Sequence, residues 1–160
     1  MQIEIFKKHP EYEEYEVSNY GQVRRNGRIL KQYDNNCGYK LIKCSGKQCL
    51  VHRLVLQAFR PNRNPFFCHV DHINRDKSDN RSVNLRWVNR NLNNMHKGKG
   101  YYKQAKTERW RADFSILKRR FTFNFDTEEE AAKCSKKYKV ALFNQVKQHY
   151  VVMAELLRSS

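Results

Sequence analysis

In a segment crowded with lysine and arginine, Val70-Asp71-His72-Ile73 places a carboxylate directly beside an imidazole. From Lys40 to Lys106 the acids are Asp71, Asp76 and Asp79, so each negative charge there needs a reason. A carboxylate is a hard ligand suited to a divalent cation, and an imidazole titrates near neutrality and suits a general base. Asparagines follow at Asn80, Asn84, Asn93 and Asn94. The Asn84 amide can hold the His72 ring, and Asn93 can return as a neutral second metal ligand. Phosphodiester hydrolysis needs such a set: a metal for charge on the phosphate and leaving oxygen, a base to activate water, and a group that orients the base. With few protein ligands and room for several waters, the cation is Mg2+ or Mn2+. The plainer alternative is an ordinary Asp-His turn pair followed by loop-forming asparagines. Spacing alone leaves both open.

These residues need a scaffold. Phe67 to Ile73 alternates as a short strand, in which neighbours Asp71 and His72 face opposite sides, so a bend or bulge is expected there. Residues 74–82 form an all-polar loop, Leu85 to Val88 a second short strand, and a helix begins about Asn89. Upstream, His52 to Phe59 carries apolar residues at helical spacing before Pro61 and Pro65. Its leading His52 reads as a structural residue or phosphate donor. Asn26-Gly27 and Ser45-Gly46 mark two hairpin tips in the first 50 residues. After the basic linker Lys97-Gly98-Lys99-Gly100, three period-two segments end near Phe125, and Thr127 with Glu130 forms a capping box that opens a helix. The fold class is α+β in small modules: residues 1–50 an antiparallel sheet, 51–97 a central core, and 98–160 a three-stranded sheet plus helix.

Charge points to the partner. The chain has 160 residues with 32 Lys+Arg against 16 Asp+Glu, a formal net charge of +16. That excess favours a polyanion. Glu4, Glu11, Glu13, Glu14 and Glu16 cluster ahead of the basic middle, a pattern fitting a nucleic-acid groove better than a uniformly basic surface. Neither a long apolar stretch nor a basic amphipathic helix stands out, and the N-terminus has no signal-peptide core, so a soluble intracellular protein without membrane association is expected. The five cysteines include no C-x-x-C pair and read as reduced packing residues. Phosphate and groove contacts are assigned to Arg24, Arg25, Arg28, Lys40 and Arg53 in the first half, and to Arg109, Arg111, Lys118, Arg119 and Arg120 on the last sheet. Trp110 reads as a core residue.

His52-Arg53-Leu54-Val55, Val70-Asp71-His72-Ile73-Asn74, Asp79-Asn80-Arg81, Asn84-Leu85-Arg86-Trp87-Val88 and Asn93-Asn94 together resemble the HNH endonucleases, in the homing branch of phages and large viruses. Tyr15 to Val23 resembles the module that often precedes that nuclease domain. Residues from about Gly100 to Ala132 resemble the DNA-binding domain of the ethylene-response-factor type. The resemblance implies a ββα-metal core and a site-specific cut in double-stranded DNA. Asp71 and Asn93 would be ligands of one divalent metal, His72 the general base and Asn84 its orienting partner, with Asn80 in support. The departure from the family's naming pattern is Asn93 in place of histidine; Asn94 leaves the register open by one, and His96 is an outside candidate. No small-molecule cofactor is implied. One site with unlike flanks favours a monomer on DNA over a dimer. The rival readings are a non-catalytic DNA-binding regulator and an RNA-binding protein, and metal-dependent cutting of duplex DNA separates the first reading from both.

Overall fold

A computed structural model describes residues 3–116 and 119–159, and the chain divides into two compact units, Met1–Val88 and Asn89–Ser160. In the first unit, strands β1 (Phe6–Lys8), β2 (Tyr15–Ser18), β3 (Val23–Arg25) and β4 (Arg28–Ile29) form one antiparallel sheet in sequence order. A second sheet joins β5 (Tyr33–Asp34), β6 (Lys40–Cys44) and β7 (Lys47–Leu50). Both hairpin tips adopt the left-handed backbone that two-residue turns require: Asn26 and Gly27 at φ 48° and 75°, Ser45 and Gly46 at 47° and 82°.

Helix α1 (Val51–Phe59) follows β7 without a gap, and its apolar face is what the small sheets share. Leu54 and Val55 pack with Tyr15, Val17 and Val23 of the first sheet, Ile42 and Cys44 of the second, and Leu85 of the strand pair described next. Each sheet is too small to bury a core alone, so the helix supplies the common apolar surface. Buried His9 ties the β1–β2 connection to this helix: its Nδ1 accepts from the backbone N–H of Glu11 and Tyr12, and its Nε2 lies 3.2 Å from the Gln57 side-chain oxygen. The division by motif at residue 50 therefore falls inside a shared core and does not coincide with the division by contacts.

Strands β8 (His69–His72) and β9 (Leu85–Val88) pair antiparallel, and a 3-10 turn at Ser82–Asn84 leads into β9. Their register is regular throughout, with Asp71 opposite Arg86 and His72 opposite Leu85. The bend expected within the strand is absent. The chain turns immediately after His72 instead, where Ile73 N–H donates to the Asn84 carbonyl and Arg75 takes a φ of 66°.

In the second unit, α2 (Arg90–Lys97) starts one residue later than expected, because Asn89 is its N-cap and accepts from Leu92 N–H at 2.9 Å. Strands β10 (Tyr101–Lys103), β11 (Trp110–Ile116) and β12 (Arg119–Phe125) form an antiparallel meander. Helix α3 (Glu128–Ser159) opens with the expected capping box, the Thr127 hydroxyl donating to Glu130 Oε2 at 2.9 Å and accepting from Glu130 N–H at 3.3 Å. Phe114 and Phe123 pack on Tyr138 of this helix, with ring centroids 5.9 and 5.0 Å away. Trp110, expected in the core, is half-buried and lies against Tyr101. Gly100 is not loose linker: a Cβ there would lie 2.8 Å from Ser135 Oγ, and Ser135 donates to the Lys99 carbonyl. Among the described residues no helix is long and apolar enough to cross a membrane.

Candidate active site

Asp71 and His72 are both 5% exposed, unusual for two ionisable side chains at a strand end. The Asp71 carboxylate is held from the facing strand by Arg86, whose Nε and Nη2 reach Oδ2 at 2.8 and 2.7 Å. Sequence reading passed over Arg86. The signal was the strand pairing, since an antiparallel partner puts Arg86 directly across from Asp71. A carboxylate has about four acceptor positions, so the guanidinium fixes its orientation without exhausting its capacity to bind a cation.

His72 is held by Asn80, not Asn84. Asn80 Oδ1 lies 3.2 Å from His72 Nε2, while its amide nitrogen donates to the Ser78 carbonyl at 3.2 Å. With its N–H2 committed to Ser78, Asn80 presents an oxygen to the ring. The neutral imidazole then carries its proton on Nε2 and its lone pair on Nδ1.

The orienting role expected of Asn84 is corrected accordingly. Its oxygen accepts from Asn74 N–H at 2.9 Å, and its amide nitrogen donates to Asn74 Oδ1 at 2.9 Å and to the Asp79 carbonyl at 2.8 Å. Those three bonds clamp the two ends of the polar loop. The side chain is already satisfied by loop atoms and acts on His72 only through the loop's shape. Within the loop, Asn74, Asp76 and Asp79 each accept from a backbone N–H two residues on, the short-range bonding that makes Asn and Asp turn formers. Asp79 also takes a two-pronged bond from Arg81, at 2.8 and 2.7 Å, which pulls its pKa down to about 2.

Two further rings complete the surroundings of His72. The His52 centroid lies 5.2 Å away, edge to face, and Tyr39 packs on both imidazoles at 5.1 and 6.0 Å. His52 is 6% exposed, its Nδ1 has no hydrogen-bond partner among the described residues, and burial pushes its pKa down to about 4. It is thus a neutral ring packed against His72, the structural alternative of the two expected. Tyr39 went unnoticed because nothing in its local sequence marks it.

Asn93 stands on α2 in the second unit. It is half-buried, and its side-chain oxygen is shielded from solvent with no hydrogen-bond partner among the described residues, whereas Asn94 is exposed. An orphaned buried amide oxygen is a feature that a cation can satisfy. Lys118 and the side chain of His96 lie outside the described residues. Among the described residues there is no cluster of three or more His, Cys, Asp or Glu able to hold a metal. The carboxylate of Asp71 and the amide oxygen of Asn93 are each of the donor type that hard cations take.

The basic residues assigned to DNA divide into two classes. Arg24 pairs with Glu16 and stacks on Phe6, Arg25 pairs with Glu14, and Lys40 with Asp34. Arg109 pairs with Asp126 and Arg120 with Asp113, while Arg111 donates to Asn124 Oδ1. Arg53 reaches the Cys68 carbonyl at 3.0 Å. Arg28 and Arg119 are exposed and have no ion pair among the described residues. Exposed pairs are worth roughly 0–1 kcal/mol, so a phosphate can replace the carboxylate at little cost.

Two family models match the chain: residues 49–95 match HNH endonuclease, and residues 4–45 match the NUMOD4 motif. The chain is similar to an uncharacterized HNH endonuclease, L247, of Acanthamoeba polyphaga mimivirus, 40% identical over 103 residues that cover 58% of this chain and 26% of the relative. It is also similar to DNA endonuclease I-HmuI of Bacillus phage SP01, 38% identical over 85 residues that cover 49% and 48% of the two chains. A solved structure described as DNA binding and cleavage by the HNH homing endonuclease I-HmuI is 35% identical, covers 56% of this chain and 55% of that one, and gives a TM-score of 0.49. The chain thus spans about a quarter to about half the length of the curated relatives it matches. In this chain a match to the NUMOD4 motif is thus followed directly by a match to the HNH endonuclease model.

Proposed function

We propose that this chain is a site-specific DNA endonuclease of the homing type that hydrolyses a phosphodiester bond with His72 as general base. The observation that carries this reading is the buried Asp71-His72 pair, in which each side chain has its own dedicated holder, Arg86 and Asn80. Catalysis requires reacting groups held within a fraction of an ångström, and that double restraint supplies it. His72 Nδ1 accepts the proton of a water, Nε2–H stays anchored on Asn80, and the hydroxide attacks phosphorus in line. Asp71 and Asn93 would hold one divalent cation, Mg2+ or Mn2+, which when bound supplies charge stabilisation to the phosphate and the departing 3′ oxygen. Asn84 contributes by closing the loop that carries Asn80.

Duplex DNA is the proposed substrate. The +16 charge provides a phosphate-dominated affinity, with Arg24, Arg25, Arg28, Lys40 and Arg53 on the first unit. The β10–β12 sheet is the proposed reader, as its ethylene-response-factor resemblance implies. Arg111, Asn124 and Arg120 share the sheet face opposite Phe114 and Phe123, and a ribbon of this kind fits a major groove. We assign functional modules at 1–50, 51–97 and 98–160, acting as a monomer on DNA.

The test is conversion of supercoiled plasmid carrying a candidate target, with Mg2+, by wild type beside His72→Ala. Nicking by wild type alone supports the reading, and the ratio of nicked to linear product reports how many strands are cut. Specific binding in a shift assay without cleavage by either protein sinks the nuclease and leaves a DNA-binding regulator.

A further inference from the structure

The connection between β2 and β3 has no chemistry of its own, yet it touches the residue that holds the proposed base. Gly21 closes a turn in which its N–H donates to the Ser18 carbonyl at 3.1 Å, and it sits at φ 91°. A Cβ on Gly21 would lie 2.8 Å from the Asn80 Cβ and 3.2 Å from the Asn80 carbonyl oxygen. The turn is itself held from several sides. Ser18, fully buried, accepts from Gln22 N–H at 2.9 Å and Tyr20 N–H at 3.2 Å, and the Gln32 amide donates to the Gly21 carbonyl at 2.7 Å. Two residues past Asn80, Ser82 N–H donates to the Asn19 carbonyl at 2.8 Å.

We propose that the Ser18–Gly21 turn is a positioning element for His72, acting as a backstop for Asn80, so that the NUMOD4 segment serves the chemical step as well as DNA contact. The inference rests on the reading of His72 as the base. A polar loop has little apolar packing to fix its atoms, so a backbone in direct contact is the strongest restraint available to it. The Asn80–His72 bond is 3.2 Å long, near the outer limit for such bonds. A displacement of Asn80 by a few tenths of an ångström therefore releases the ring. Only a residue without a side chain lets the turn come this close.

The experiment compares Gly21→Ala with Gly46→Ala in the full chain. Gly46 has a similar backbone, φ 82°, but nothing within 4 Å of the added methyl, so it reproduces the backbone strain without the collision. Single-turnover nicking of supercoiled plasmid by G21A is expected to slow by ~10-fold or more, with DNA affinity within about twofold of wild type, because misplacement costs rate and not binding. The His72 imidazole nitrogen resonances should shift in G21A and stay at the wild-type position in G46A. Nicking and His72 resonances in G21A equal to those in G46A would overturn the proposal. If wild type itself fails to nick, the nuclease reading falls, while the His72 resonances still decide the positioning. Should G21A not fold, Gln32→Ala loosens the turn without adding an atom. Unchanged His72 resonances there would equally overturn the proposal, and shifted ones would support it.

Discussion

Asp71-His72 and the β11–β12 sheet face are both polar and charged, but they are built to opposite specifications. At the first, Asp71 and His72 are buried and each has a named partner inside the protein, Arg86 and Asn80, beside a loop whose ends Asn84 clamps. At the second, Arg120 and Asp113 pair across the strands with the Arg120 side chain 65% exposed, and Arg109 and Asp126 pair beside the turn with both exposed. Burial makes the first set rigid and costly to disturb, since each lost bond leaves a polar group without water. Exposure makes the second set exchangeable, since a carboxylate partner can yield to a phosphate. The first property suits the proposed chemistry and the second the proposed recognition.

Four measurements probe this contrast. The largest effect is expected from His72→Ala, which should lower the single-turnover nicking rate by roughly 10²- to 10⁴-fold with DNA affinity retained. An equal loss of binding would merge the two regions that the comparison separates. Acid should act next. Burial lowers the pKa of His9, and lowers that of His52 to about 4 from an ordinary 6.5. The unfolded chain therefore binds more protons than the folded one between those values. Stability is fully present above about pH 6.5 and should fall by a few kcal/mol as pH drops toward 4. Urea unfolding of wild type and His52→Phe at pH 7 and pH 5 checks this, and the variant should lose less on acidification.

Asn84→Ala should cost about 1–3 kcal/mol in urea unfolding, because Asn74 N–H and the Asp79 carbonyl lose their partner. It should also slow nicking through the loop. Arg120→Gln should have the smallest effect on the fold, within about 0.5 kcal/mol, while reducing the slope of log affinity against log salt by roughly 0.9 if one phosphate contact is lost. A stability loss as large as that of Asn84→Ala would mean the sheet face is structural.

Much of this architecture was readable residue by residue. Asn26-Gly27 and Ser45-Gly46 marked hairpin tips because few residues accept a left-handed backbone. Thr127 with Glu130 marked the start of α3, and the apolar spacing from Leu54 to Phe59 marked α1. Asp71 stood out as an acid in a basic segment. What spacing misjudged were partnerships. Asn80 and Asn84 are of one type in one loop, and each was equally able to reach His72 along the chain. The bend expected between Asp71 and His72 was unnecessary, because the strand simply ends there.

The sequence by itself therefore determined the element order, the turn positions, the charge and the residues with chemical capacity. Those depend on local backbone preference and on side-chain type, both of which are properties of short stretches. Only the tertiary structure decided that Asn80 contacts His72, that Arg86 faces Asp71, that His52 is a buried ring beside His72, and that Gly21 lies against Asn80. Each of those contacts joins residues separated by a loop or by a whole sheet. Their geometry is set by how α1 gathers three small sheets into one core, where the burial of many side chains at once outweighs any local preference.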